Sequence, residues 1–147
     1  MKGLMARSAV EIKASKEDVW DALTNPQRIK EYMFGTEVSS EWRKGSPITW
    51  KGEWNGKPYE DKGTIMQFEP QSILEYTHFS PLTGKPDTEE NYHTVAIRLQ
   101  KVAEGTNVTL VQDNNDSPQA VKHSEKNWQT MLESMKKMLE HEPVAAS

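Results

Sequence analysis

Residues 117–141 read SPQAVKHSEKNWQTMLESMKKMLEH, and this stretch decides the fold. Ser117 offers an N-cap oxygen, and Pro118 suits the first helical turn, where its missing N–H would have had no intrahelical partner. Val121, Trp128, Met131, Leu132, Met135, Met138 and Leu139 then recur at helical spacing. Helical to His141, the segment spans about 37 Å at roughly 1.5 Å per residue. Lys122, Glu125, Lys126, Lys136 and Lys137 read as its solvated face. A helix of this length with one apolar stripe requires a broad surface to cover it.

The middle of the chain supplies that surface. From Glu37 to Gln112 the pattern is of strands separated by turn residues, with no helix-length periodic segment among them. Ile48, Trp50, Gly52 and Trp54 alternate against Thr49, Lys51 and Glu53, and Asn55-Gly56 follows at once, the dipeptide that a tight type I′ hairpin turn favours. The return strand runs from Tyr59 to Phe68 and ends at Pro70. Ile73 to Phe79 is the next strand, followed by a loop, Pro81 to Asp87, with two prolines and a glycine. Tyr92 to Val102 and Asn107 to Gln112 make two more, joined around Glu104-Gly105.

At the start, Leu4, Ala6, Ser8, Val10 and Ile12 alternate against Met5, Arg7, Ala9, Glu11 and Lys13, the period of a strand with one less polar face. Ser15 is placed as an N-cap, with Asp18 three residues on, and Val19, Trp20 and Leu23 fall on one helical face. Asn25-Pro26 interrupts that helix and caps a second short one carrying Ile29, Tyr32 and Met33. The expected class is α+β, a curved antiparallel sheet of about seven strands around the long helix. The whole chain, 1–147, reads as one domain, its tail from Glu142 expected to fray.

Composition narrows the function. The chain contains no cysteine, so disulfides, thiolate metal sites and cysteine nucleophiles are out. Its net charge of −4 comes from 22 acidic and 18 basic residues without a basic block, which argues against nucleic acid as the main partner. Neither a signal-like apolar run near Met1 nor a membrane span is present in the sequence, and a cytoplasmic location is expected. No glycine-rich nucleotide loop or nucleophile elbow occurs, and no histidine pair has zinc-like spacing; no cofactor or metal is expected.

Ile12, Ala14, Ser15, Glu17, Val19, Trp20, Ala22, Leu23, Thr24, Asn25 and Pro26 together resemble the opening of START-like (SRPBCC) proteins. The branch most similar is the C-terminal domain of activators of the heat-shock protein 90 ATPase. Gly63-x-Ile65 leading into Phe68, Glu69 and Pro70, then Leu74-x-Tyr76, Gly105-Thr106 with Val108 and Leu110, and Trp128, Leu132, Met135 and Leu139 extend the likeness along nearly the whole chain. Asn127 stands where many members have glycine, and Tyr32 where many have tryptophan. The resemblance implies a helix-grip fold of the birch-pollen-allergen kind, with a cavity between sheet and long helix. It also implies a range of roles, among them lipid and polyketide binding, co-chaperone activity, and cyclase or hydrolase chemistry.

Residues expected to line such a cavity are Trp50, Trp54, Phe68, Tyr76, His78, Tyr92, Gln112, Trp128, Met131 and Met135. For any one of the large apolar residues plain core packing is the commoner reason for such a position, and a paired or surface position accounts equally for His78. The expected function is non-enzymatic binding of a small hydrophobic or aromatic molecule. A partner-binding module similar to the heat-shock protein 90 ATPase activators is one alternative, although 147 residues leave no space for the separate N-terminal domain that those proteins use. A polyketide cyclase or hydrolase is the other.

Overall fold

A computed structural model describes residues 1–54 and 56–141; the Trp54 side chain, Asn55 of the expected hairpin turn and the tail from Glu142 lie outside the described residues. Strand β1 (Leu4–Ile12) leads into helices α1 (Lys16–Thr24) and α2 (Pro26–Tyr32). Strands β2 (Glu37–Ser40), β3 (Pro47–Trp54), β4 (Lys57–Glu69), β5 (Ile73–His78), β6 (His93–Val102) and β7 (Gly105–Asn115) follow, then helix α3 (Pro118–His141). The strands form one seven-stranded antiparallel sheet in the order β1-β7-β6-β5-β4-β3-β2.

Local chemistry sets the helix ends. Ser15 Oγ accepts the Asp18 N–H at 3.1 Å. Asn25 closes α1 through its own N–H to the Asp21 carbonyl and opens α2 by accepting the Gln27 N–H on its side chain. Ser117 Oγ caps α3 by accepting the Ala120 N–H at 3.1 Å.

Two irregularities shape the sheet. The β4–β5 register shifts between Ile65 and Gln67, which leaves Met66 as an extra, 42 % exposed residue. The bulge changes the alternation, so Ile65 and Phe68, three apart, both turn inward. Closer to the hairpin, paired backbone bonds join Lys62 to Phe79, but between them and the Ile65–Tyr76 pair stands Gly63, where a Cβ would lie 1.6 Å from the Thr77 carbonyl oxygen. Only glycine permits β4 to press this closely onto β5.

The core runs from the inner sheet face to α1, α2 and the second half of α3; Val19, Ile48, Ile65, Val108, Leu110, Leu132 and Met135 are almost fully buried. Every buried residue of α3 lies at or beyond Met131. The sheet therefore grips the C-terminal half of the helix, while its N-terminal half, with Trp128, stands over one end of the sheet.

The polar face of α3 is more than a solvated face. β1 is an edge strand, and its outward backbone groups belong to the odd-numbered residues. Glu125 accepts the Arg7 N–H at 2.9 Å, Gln129 donates to the Ala9 carbonyl at 3.1 Å, Lys136 donates to the Glu11 carbonyl at 2.7 Å, and Glu140 accepts the Lys13 N–H at 2.8 Å. Side chains of one helix face thus close the edge of the sheet. At its first residue β1 departs from the expected alternation: the β1–β7 register shifts between Leu4 and Ala6, and Leu4 is 44 % exposed.

Candidate functional site

Strand register brings a set of polar side chains to one end of the inner face. Trp50 sits opposite Asp61 and Gly52 opposite Tyr59 in the β3–β4 hairpin. Tyr76 and His78 follow on β5, and Val95 links Tyr76 to Gln112 across β6 and β7. The other end, with Ile48, Leu74, Ile97, Leu99 and Leu110, is apolar. Amphipathic character is therefore graded along the sheet.

Over the polar end lies a groove of about 340 Å³. Met33, Phe34 and Thr36, after α2, form one wall; Ser124, Asn127, Trp128 and Met131 of α3 form the other; Glu53, Tyr59 and Gln112 line it from the sheet. Two smaller cavities lie beyond, of about 60 Å³ and 30 Å³. Met33 and Trp128 line all three spaces and so stand between groove and interior.

Hydrogen bonds fix the walls. The Trp128 indole N–H donates to Gln112 Oε1, which ties α3 to β7 across the floor of the groove. Tyr59 shares a 2.9 Å hydrogen bond with Thr36. Its ring lies over Gly52, where a Cβ would come within 2.7 Å of the phenol oxygen. Deeper in, His78 Nε2 meets Asp61 Oδ2 at 2.8 Å, and Trp50 packs edge-on against the His78 ring, with centroids 5.0 Å apart. Burial pushes the phenol pKa values of Tyr32 and Tyr76 well above the ordinary tyrosine range, so both stay protonated at physiological pH. Among the described residues, no cluster of three or more histidines and carboxylates is placed to hold a metal.

The family model for activator of Hsp90 ATPase homolog 1-like protein matches residues 13–140. The chain belongs to this family. Among solved structures it is similar to ChR145 from Cytophaga hutchinsonii, at 60 % identity over 95 % of this chain and 97 % of that one, with a TM-score of 0.84. The Aha1 dimer from Colwellia psychrerythraea is 22 % identical over 94 % of this chain and 97 % of that one, TM-score 0.74. CalU16 from Micromonospora echinospora is 20 % identical over 99 % and 87 %, TM-score 0.72. At these last identities the likeness is one of fold. A search of the curated proteins returns no match.

Within this member of the activator of Hsp90 ATPase homolog 1-like family, Trp50, Tyr76, His78, Gln112, Trp128 and Met131 come together around the groove and inner cavities. Three other candidates lie elsewhere. Met135 is 0 % exposed and packs in the core, one helical turn beyond Met131. Phe68 is carried past the bulge to the opposite end of the sheet and packs edge-on against Trp20, centroids 5.3 Å apart. Tyr92 precedes β6, stacks on Phe79 and donates to Asp87 at 2.6 Å, outside the three spaces. The Trp54 side chain lies outside the described residues; its backbone pairs with Lys57.

Met33, Phe34, Thr36, Tyr59 and Asp61 are lining residues that the sequence reading missed. Asp61 had a usable signal. Read from the sequence as a two-residue turn signal, Asn55-Gly56 predicts that 54 pairs with 57, and stepping back along that ladder predicts 61 opposite Trp50, the pair that the sheet shows. Phe34 had none: it is 75 % exposed at φ 56° in the connection after α2.

Proposed function

We propose that this protein binds a small hydrophobic or aromatic molecule between the sheet and the N-terminal half of α3, without catalysing a reaction. The observation that carries this reading is the groove of about 340 Å³, backed by inner cavities that share Met33 and Trp128 with it. The groove is within the ~300–1,000 Å³ of small-molecule sites. Its lining is that of such sites, aromatic and thioether surface with a few oriented polar groups. Titration with a panel of lipids, flavonoids and aromatic polyketides, followed by tryptophan fluorescence, tests it. Saturable quenching is expected because Trp50 and Trp128 both border the space. A panel that leaves fluorescence and melting temperature unchanged overturns the reading.

A second reading, a co-chaperone-like module, is favoured by Phe34, an aromatic ring 75 % exposed at the lip of the groove, and by the family's name. It requires stimulation of an Hsp90 ATPase that Phe34→Ser abolishes. Absence of any stimulation disposes of it. For an enzyme, the paired His78 and Asp61 would be the acid–base element, and mass-spectrometric turnover of a panel member would be its signature.

A further inference from the structure

We propose that Asp61, held by His78, is the polar recognition point at the inner end of the cavity, and that it selects hydrophobic ligands carrying a hydrogen-bond donor, such as a phenol or alcohol hydroxyl. This rests on the cavity-binding reading and adds the chemistry of the ligand's polar end.

The Asp61 side chain is 14 % exposed and that of His78 28 %. One carboxylate oxygen, Oδ2, is satisfied by the imidazole at 2.8 Å. The other, Oδ1, is buried and has no hydrogen-bond partner among the described residues. A buried acceptor left unmatched costs a protein stability, and that cost is relieved when a ligand supplies the donor. Of the neighbouring hydroxyls, Tyr59 and Thr36 bond to each other, which leaves one O–H of the pair free to donate, and Tyr76 borders the same cavity with its phenol protonated. The unmatched buried acceptor here is Asp61 Oδ1, which a ligand's donor would satisfy.

The space fits such a group. Asp61, His78, Thr36, Tyr59, Trp50 and Tyr76 border the inner cavity of about 60 Å³. At roughly 30 Å³ for a water-sized group, it takes a hydroxyl and the carbon that bears it, and the ligand's apolar body extends past Trp128 into the groove. The site also discriminates. Against Asp61 Oδ1 itself, a carbonyl or carboxylate would set acceptor against acceptor, or charge against charge, whereas a hydroxyl completes the bond.

Matched probes test the proposal: 2-naphthol against 2-methylnaphthalene, nearly equal in shape and differing in the donor. Affinities are read from the tryptophan indole N–H resonances of the full chain. The wild type is expected to favour 2-naphthol by about ten-fold or more, the worth of a hydrogen bond to a charged acceptor. Asp61→Leu is expected to abolish or reverse that preference while keeping 2-methylnaphthalene bound, and to leave the ligand-free melting temperature equal or higher. Asp61→Asn, which keeps the shape, provides the same comparison with a reduced preference should the leucine variant fold poorly. Equal affinity of both probes for the wild type overturns the role of Asp61 and leaves the cavity reading standing. So does a preference that survives both substitutions, or variants that lose stability with their preference unchanged. If neither probe binds, the cavity reading falls and the recognition point with it.

Discussion

Gly63 and Trp128 show how single residues set the geometry of the site. Gly63 has no room for a side chain, since a Cβ would lie 1.6 Å from the Thr77 carbonyl oxygen. Gly63→Ala must push β4 away from β5 at the bend and is expected to cost about 3 kcal/mol or more, read as a lower urea midpoint. Trp128 joins α3 to β7 through its indole N–H and Gln112. Trp128→Phe keeps most of the ring but leaves the Gln112 oxygen unpaired; a loss of about 1 kcal/mol is expected, with altered affinity for any ligand in the groove. A Trp128→Phe protein as stable as the wild type would show that this bond contributes nothing. Asp61 was within reach of the sequence through the hairpin ladder, whereas the contact between Gln112 and Trp128 depends on where α3 settles, which no local pattern records.

At the scale of elements, α3 performs two tasks on two faces. Its C-terminal apolar stripe fills the core, so Met135→Ala, at a position 0 % exposed, should destabilise by about 2–5 kcal/mol; the smaller effect belongs to Met131→Ala, at the groove. Its charged face closes β1. Hydrogen exchange should show this residue by residue: Glu125→Ala exposes the Arg7 amide, and Glu140→Ala the Lys13 amide. Acid should imitate the second change. The hydrogen bond from Lys136, with help from the Lys13 N–H, holds the Glu140 carboxyl below its ordinary value of 4.5. A carboxyl depressed in the folded state contributes its stability in full above that ordinary value, and the contribution disappears as pH falls through the lower folded one. Protection of Lys13, corrected for intrinsic exchange, should therefore decline below pH 4.5, with a small effect on global stability because the pair is partly solvated. Protection unchanged down to acid unfolding would rule out the clasp.

For the whole molecule, a ligand that binds the folded state alone must raise its melting temperature. At a hundred-fold excess over Kd the gain is about 2.7 kcal/mol, on the order of 5–10 °C for a domain this size; no shift at saturation would contradict binding in the cavity. The sequence by itself determined the α+β class, the order of the elements, their caps at Ser15, Asn25 and Ser117, and the family, because helix and strand periodicities and capping residues act over a few positions. It also marked Trp50, Tyr76, His78, Gln112, Trp128 and Met131, which border the groove and its two inner cavities. The tertiary structure alone decided that Met135 packs in the core, that the bulge at Met66 carries Phe68 away to Trp20, that Glu125 and Lys136 close a sheet edge, and that Phe34 forms a lip. Each of these depends on how far a helix slides along a sheet or where a ladder slips by one residue. Those quantities are fixed by packing between segments distant in the chain, and a one-residue slip changes the face of every side chain that follows.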